Sequence, residues 1–191
     1  MNAANAIKET FQKEASGEKS EDYDYKGLYK QRLIEFRREP KTVVRVEKPL
    51  NIPRARELGY KAKQGYVVAR VRVRKGSGMH LRPNKGRKPK RMGVNKLTRN
   101  ISIQSMAEQK ASKKYPNCEV LNSYLVGKDG KSKYFEVILV DTAHPSVTKD
   151  KKMKWVASGK HKGRAERGKT SAGTGRREPT ATGPTHARIP A

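Results

Sequence analysis

The stretch that decides the fold is LGYKAKQGYVVARVRVRK, residues 58–75. From residue 67 its side chains alternate, with Val, Ala, Val and Val at 67, 69, 71 and 73 and arginines at 70, 72 and 74. A period of two places these two sets on opposite faces of a β-strand. One face suits an apolar core and the other suits phosphate groups. An ordinary exposed strand face is the alternative, but three successive arginines with no acidic residue among them favour phosphate binding.

Two further elements complete a core after this strand. Apolar residues at 103, 106, 107 and 111 have the spacing of one helix face, and Pro116 ends that helix. The stretch CEVLNSYLVGKDGKSKYFEVILVD, residues 118–141, predicts a hairpin about a turn at 127–130, with 134–140 as a central strand. Together with the first strand, these elements predict an α+β fold with a small mixed or antiparallel sheet covered by helices.

Two short helices are predicted before the sheet. Ala3, Ile7, Phe11 and Ala15 share one helix face that ends by residue 17, and a second helix starts at a cap at 22 or 24 and stops before residue 40. The predicted organisation is a helical segment over 1–40, an extended basic connector over 41–57, an α+β core over 58–150 with an extended basic loop at 75–99, and an extended basic tail over 151–191.

Positive charge is concentrated in two blocks. Residues 41–100 carry nineteen Lys/Arg against two Asp/Glu, and residues 151–191 carry eleven against two, within a total net charge of +27. Residues 1–40 have no net charge, and residues 101–150 have a net charge of +1. A globular domain with so strong a field of one sign repels itself. We therefore expect a polyanionic partner, for which nucleic acid is the obvious candidate.

The basic loop at 75–99 has too few apolar residues to fold on its own. It holds nine Lys/Arg, four Gly and two Pro. Such a segment does not offset its ordering entropy alone, so we expect it to gain structure against a partner whose phosphates its cations neutralise. A disordered linker or an address signal are the alternatives.

Several other classes of protein lack support in the sequence. Cys118 is the single cysteine, so no disulfide forms within the chain, and the four histidines have no metal-ligand spacing. The chain lacks a long apolar run and a signal-peptide pattern, which predicts no membrane contact and a cytosolic location. No side chains have the spacing of a catalytic site. We expect no catalysis, cofactor or small-molecule substrate.

One motif matches the spacing of a nucleotide-binding enzyme. Residues 163–170, GRAERGKT, match the G-x-x-x-x-G-K-S/T spacing of a phosphate-binding loop, and Val137 to Asp141 resembles the apolar run ending in Asp that holds Mg²⁺ in such enzymes. Such a loop needs a buried strand before it and a helix after it, whose N–H groups face the phosphates. Only residues 155–157 form a short apolar group before it, and prolines at 179, 184 and 190 oppose a following helix.

Longer stretches resemble a known family. LGYKAKQGYVVARVRVR (58–74), GRKPKRMGVNK (86–96) and EVLNSYLVGKDGKSKYFEVILVD (119–141) resemble the archaeal and eukaryotic large-subunit ribosomal protein family L-fifteen-e, and the likeness extends to RLIEFRREP (32–40) and RGKTSAG (167–173). The resemblance implies a small α+β domain with basic extensions threaded through large-subunit ribosomal RNA. It implies a cytoplasmic location in the large subunit, beside other large-subunit proteins, and neither cofactor nor catalysis.

The chain departs from the family near its end. Lys169 stands where the family has an apolar residue, usually Leu, and this change creates the phosphate-loop spacing. Residues 174–191, TGRREPTATGPTHARIPA, are less basic than the family tail. RNA contacts implied by the resemblance are therefore not carried over to residues 174–191.

The residues expected to bind RNA are those at positions matching the family. Contacts to phosphate and sugar position a protein on RNA without reading its sequence. The expected phosphate-binding cations are Lys61, Lys63, Arg70, Arg72, Arg74, Lys75, Arg87, Lys88, Lys90, Arg91 and Lys96. Tyr60 and Tyr66 are candidates to stack on bases, with plain packing as the alternative for each. For the whole chain, the alternatives are a DNA-compacting chromosomal protein and a nucleoside triphosphatase.

Overall fold

A computed structural model of the chain describes residues 2–20, 23–77, 80–94 and 97–174. The strands are β1 (Val43–Val46), β2 (Tyr66–Arg74), β3 (Cys118–Lys128) and β4 (Ser132–Asp141). They form one antiparallel sheet in the order β1-β2-β4-β3. The α-helices in this part of the chain are α1 (Ala3–Ser16), α2 (Tyr25–Arg38), α3 (Ile52–Glu57), α4 (Ile103–Lys114), α5 (Pro145–Thr148) and α6 (Ser171–Thr174). The predicted α+β class is confirmed.

The first face of the sheet packs on α4. The alternation of β2 places Ala69, Val71 and Val73 on this face, where they are buried against Ala107 and Ala111 of α4. These two alanines lie on the helix face that the sequence spacing predicted. Short side chains on α4 allow the helix to approach the strands closely, which buries the apolar side of β2.

The second face of the sheet is covered as well. Leu33 and Phe36 of α2 pack on Tyr134 of β4. Further along the same face, Ala55 of α3 and Val147 of α5 pack near Ile138. The side of β2 that carries arginines therefore lies partly beneath helices, and only its end near Arg74 is exposed.

Helix ends follow the predicted capping signals. The Asp24 carboxylate accepts a hydrogen bond from the Gly27 N–H at 2.8 Å and starts α2, and Gly17 ends α1 with a φ of 72°. The hairpin turn lies later than predicted, because β3 continues to Lys128 and Asp129 closes the turn. Gly127 is part of β3, and a Cβ there would lie 3.0 Å from the Leu33 side chain, so glycine allows α2 to pack closely on the strand.

Two segments predicted as extended contain regular structure. The connector at 41–57 includes β1 and α3. Asn51 caps α3, because its side chain accepts a hydrogen bond from the Arg54 N–H at 3.0 Å. Residues 151–174, predicted as part of an extended tail, form the 3₁₀ helices Lys154–Ala157 and Gly159–His161 and the helix α6. Residues 175–191 lie outside the described residues. No described helix has the length and apolar character to cross a membrane.

Candidate nucleic-acid interface

Some of the expected phosphate-binding cations are already paired with carboxylates. Lys61 and Lys63 share the carboxylate of Asp150, with Nζ to Oδ2 distances of 2.7 and 2.8 Å. Hydrogen bonds from these two lysines hold the pKa of Asp150 well below its ordinary value, so the carboxylate is ionised. Two cations share one anion, and the group keeps one net positive charge.

Arg70 is largely enclosed by protein. Its guanidinium lies 2.7 Å from Glu39 and 3.3 Å from Glu136, and its side chain is 14% exposed. It also lies over the Phe36 ring, 4.2 Å from the centroid. Tyr124 donates a hydrogen bond to Glu136 in the same cluster. Arg70 therefore neutralises a buried carboxylate beneath α2.

The cations at the end of β2 have a different environment. Arg74 is exposed, and Arg72 donates a hydrogen bond to the Arg37 carbonyl at 3.4 Å. Lys75 donates to the Asp129 carbonyl. A backbone carbonyl orients such a side chain without cancelling its charge, so these cations remain available to an anion.

Neighbouring basic residues complete this group, which we call the sheet-end cluster. Strand pairing places Lys133 opposite Val73, and the Lys75 N–H donates to the Lys131 carbonyl at 2.8 Å. A cleft of about 460 Å³ lies among Arg37, Arg72, Lys131 and Asp129. The sheet-end cluster consists of Arg37, Arg72, Arg74, Lys75, Lys131 and Lys133.

Asp129 is the acidic residue lining this cleft. Burial raises the pKa of its carboxyl, but hydrogen bonds from the N–H groups of Ser132 and Lys131 and from the Tyr134 hydroxyl outweigh burial, so the pKa is lowered. Its carboxylate shapes the hairpin turn and lies 3.7 Å from the Arg37 guanidinium, so Arg37 is the one member of the cluster that is partly neutralised among the described residues. Sequence reasoning did not select Arg37, Lys131 or Lys133, because the pairing of β2 with β4, which brings the last two to the end of β2, joins strands that are far apart in the sequence.

The basic loop continues from this cluster. Residues 81–91 are all exposed and include six Lys/Arg and no Asp/Glu. Its only regular element in the described part is the 3₁₀ turn Pro89–Arg91. Arg99 donates to the Arg74 carbonyl at 3.3 Å, so both ends of the loop lie at the end of β2. Of the residues predicted here, Arg87, Lys88, Lys90 and Arg91 are exposed, whereas Lys96 lies outside the described residues.

Tyr60 and Tyr66 pack against each other. Their ring centroids are 6.3 Å apart in an edge-to-face arrangement, and both rings are partly buried against the apolar cluster around Ile138. Burial raises the pKa of the Tyr66 hydroxyl, which has no hydrogen-bond partner among the described residues. Much of the surface of both rings is in contact with other side chains of the fold. Base stacking by either tyrosine stays a prediction.

The comparisons with known proteins identify the family. Residues 7–189 match the family model described as Ribosomal L15. The chain is also 58% identical over 146 residues to the Large ribosomal subunit protein eL15 of Methanocella arvoryzae, an alignment that covers 76% of this chain and 74% of that protein. The chain belongs to the Ribosomal L15 family. The resemblance inferred from the sequence is confirmed.

In this member of the Ribosomal L15 family, the phosphate-loop spacing at 163–170 has another role. The N–H groups of Gly163 and Arg164 donate to the Glu119 carboxylate at 2.9 and 3.2 Å. The Thr170 hydroxyl donates to the Glu108 carboxylate at 2.5 Å. Groups that would face phosphates in a nucleotide-binding loop therefore bind carboxylates of the same chain. A helix of four residues follows, which is too short for the nucleotide-binding arrangement.

The described residues also lack a metal-binding group of His, Cys, Asp or Glu. Cys118 is buried, and desolvation raises the pKa of its thiol, followed by the nearby Asp141 carboxylate. A raised pKa disfavours the reactive thiolate. Cys118 is thus a packing residue at the start of β3.

Proposed function

We propose that this chain is a structural constituent of the large ribosomal subunit that binds ribosomal RNA through Lys and Arg contacts to phosphates. Membership of the Ribosomal L15 family supports the ribosomal assignment, and the Methanocella relative is by name a large-subunit protein. The observation that carries the RNA contact is the loop at 81–91, eleven consecutive exposed residues with six cations and no acidic residue.

The proposed RNA surface combines the loop at 81–91 with the sheet-end cluster. The segment 75–99 that contains this loop begins at Lys75 and returns to the end of β2 through the contact of Arg99 with Arg74, so the loop extends from the sheet-end cluster and a phosphate backbone can contact both. Neutralising phosphates releases counterions, which makes such binding strong and dependent on salt. The exposed loop can extend along the RNA, whereas the sheet-end cluster is held in position by the folded core.

Four of the expected residues contribute less to this proposal or stand outside it. Arg70 is left out, because Glu39 and Glu136 already neutralise it. Lys61 and Lys63 together contribute one net charge beside Asp150. Lys96 stays a prediction from the family resemblance.

The proposed role is architectural, without catalysis or cofactor. RNA segments carry like charges, and a basic protein surface between them lowers their mutual repulsion. Neighbouring large-subunit proteins are the other expected partners. A DNA-compacting protein would need similar charge, so RNA and DNA must be compared directly.

The test measures binding of the full chain to ribosomal RNA fragments and to duplex DNA over a range of salt concentrations. We expect the logarithm of the affinity for RNA to fall linearly with the logarithm of salt, with about 0.7 to 0.9 units of slope per phosphate neutralised. Replacing the loop cations Arg87, Lys88, Lys90 and Arg91 with Ser should reduce this slope by several units. A slope unaffected by these changes would contradict the proposed surface.

A matched control removes the same charge elsewhere. The exposed residues Lys19, Lys26, Lys30 and Lys113 belong to neither the loop nor the sheet-end cluster. Replacing them with Ser should reduce the slope much less than the loop variant. Equal losses would mean that total charge, rather than this surface, governs binding. Tighter binding to DNA than to RNA, together with failure to co-sediment with large subunits at high salt, would favour the chromosomal alternative.

A further inference from the structure

Trp155 is an exposed aromatic residue in a basic setting. It is the single tryptophan of the chain and lies in the 3₁₀ helix Lys154–Ala157, with 40% of its surface exposed. The adjacent Val156 and nearby Met153 are buried and fix this helix to the apolar cluster around Ile138. The indole is therefore held at a defined position while a large part of it faces solvent.

Two side chains support the indole. The Arg164 guanidinium lies over the ring, 4.7 Å from the centroid, and the His161 ring meets it edge to face at 4.8 Å. Arg164 and His161 contact each other at 3.4 Å, so they cannot lie on opposite faces of the indole. The exposed surface of Trp155 thus lies away from this pair.

Arg164 is itself firmly held. Its Nε donates to the Val120 carbonyl at 3.0 Å, and its Nη2 donates to the Lys169 carbonyl at 3.0 Å. Partial burial and the neighbouring Arg164 lower the pKa of His161, which favours a neutral imidazole. A cation over one face of an aromatic ring is attracted to it, which favours this orientation of the indole.

The segment around Trp155 is strongly basic. Five lysines nearby in the sequence are exposed and form no ion pair among the described residues. These are Lys151, Lys152, Lys154, Lys160 and Lys162. The closest acidic residue in the sequence, Asp150, is already paired with Lys61 and Lys63.

We propose that Trp155 stacks on an unpaired RNA base while these lysines bind the flanking phosphates. This inference rests on the proposed function and adds a second RNA contact, separate from the surface at the end of β2. Proteins that bind single-stranded RNA combine aromatic stacking with a basic surface along the backbone. Tryptophan is enriched at protein–protein interfaces but lysine is depleted there, so five exposed lysines favour a phosphate backbone over a protein partner.

The test uses the emission of Trp155 in the full chain, since no other tryptophan contributes. One arm titrates the protein with a short single-stranded oligouridine, and the other with an abasic ribose-phosphate oligomer of equal length. Labelled oligomers report binding independently by anisotropy.

We expect both oligomers to bind at low salt and only the oligouridine to quench the emission. Binding of oligouridine with no change in emission, or an equal change with both oligomers, would overturn the stacking and leave the proposed function standing. Absence of binding by both would overturn both proposals.

Variants give a second readout. Trp155→Ala should weaken oligouridine binding by about 5- to 150-fold, the range of one base–aromatic stack, without changing the affinity for the abasic oligomer. Trp155→Phe, which keeps an aromatic ring, should restore most of the loss. Leu125→Ala removes another exposed apolar side chain and should change neither affinity. An equal loss of both affinities in Trp155→Ala would mean a merely structural role and would overturn the proposal.

Discussion

The Glu108 carboxylate accepts a hydrogen bond from the Thr170 hydroxyl at 2.5 Å, across 62 residues of sequence. Glu108 is fully buried on α4, and the Ser123 hydroxyl donates to the same carboxylate at 2.5 Å. A buried carboxylate is costly unless hydrogen bonds satisfy it. This pair therefore fastens residues 151–174 to the core, where the loop that resembles a phosphate site becomes part of the fold.

The first prediction follows from the ionisation of Glu108. Burial raises the pKa of its carboxyl above 4.5, although hydrogen bonds from Ser123 and Thr170 oppose this shift. Between pH 4.5 and the raised pKa the folded state holds more protons than the unfolded state, so stability falls as pH rises through that window. Glu108→Gln removes this titration. Its melting temperature should improve relative to the unmodified chain as pH rises from 4 to 7, measured by thermal unfolding at each pH.

Thr170→Val provides the matched control. It keeps the carboxylate but removes one hydrogen bond that lowers the pKa, so the fall in stability with pH should become steeper. If both variants follow the pH profile of the unmodified chain, Glu108 does not carry this pH dependence.

The second prediction separates two kinds of arginine on the same strand. Arg70→Ala leaves Glu136 buried without its cation, which should destabilise the fold by about 3 kcal/mol. Arg72 and Arg74 pair with no carboxylate in the described structure. Replacing both with Ala should leave the melting temperature nearly unchanged while weakening RNA binding. Denaturant unfolding and RNA titration of both variants test this prediction. Equal destabilisation by Arg70→Ala and by the double variant would contradict the distinction between a structural and an RNA-binding arginine.

These contrasts indicate what could be predicted from the sequence. The apolar face of β2 was predictable because a period of two is a local property of the chain. The role of Arg70 was not, because Glu39 and Glu136 lie 31 and 66 residues away. The folding of residues 151–174 was missed for a similar reason. Its apolar residues are few, and much of its cohesion comes from Glu108 and Glu119, which lie on other elements of the fold.

The third prediction concerns the core. Val71 and Ile138 lie on opposite faces of the sheet and are both fully buried. Replacing either with Ala should destabilise the fold by about 1 to 4 kcal/mol, through lost burial and the cavity left behind. Leu81→Ala, at a site 86% exposed, should change stability by less than about 0.5 kcal/mol. Denaturant unfolding of the three variants tests this, and a neutral effect at Val71 would contradict the assigned face.

The last prediction compares two basic segments of opposite structure. In the loop at 81–91 the side chains are exposed, and the N–H groups of Arg87 and Arg91 are bonded only within short turns. In residues 151–174, by contrast, Arg164 is partly buried and hydrogen-bonded to Val120, and Thr170 is buried. Limited trypsin treatment of the free protein should therefore cut at 82–91 first and spare Arg164, although both segments are rich in basic residues.

Bound RNA should protect the loop at 81–91, which is the easily cleaved segment of the free protein. Phosphates supply the charge and the hydrogen-bond acceptors that the loop lacks, so amide exchange at 81–91 should slow when ribosomal RNA is bound. Residues 119–141 belong to the central hairpin and should be protected in both states, which makes them the internal reference. The measurement is hydrogen exchange followed by mass spectrometry, peptide by peptide, on the free protein and on the complex. Equal protection of 81–91 in both states would mean that the loop is ordered without RNA, and the main binding surface would then have to lie elsewhere.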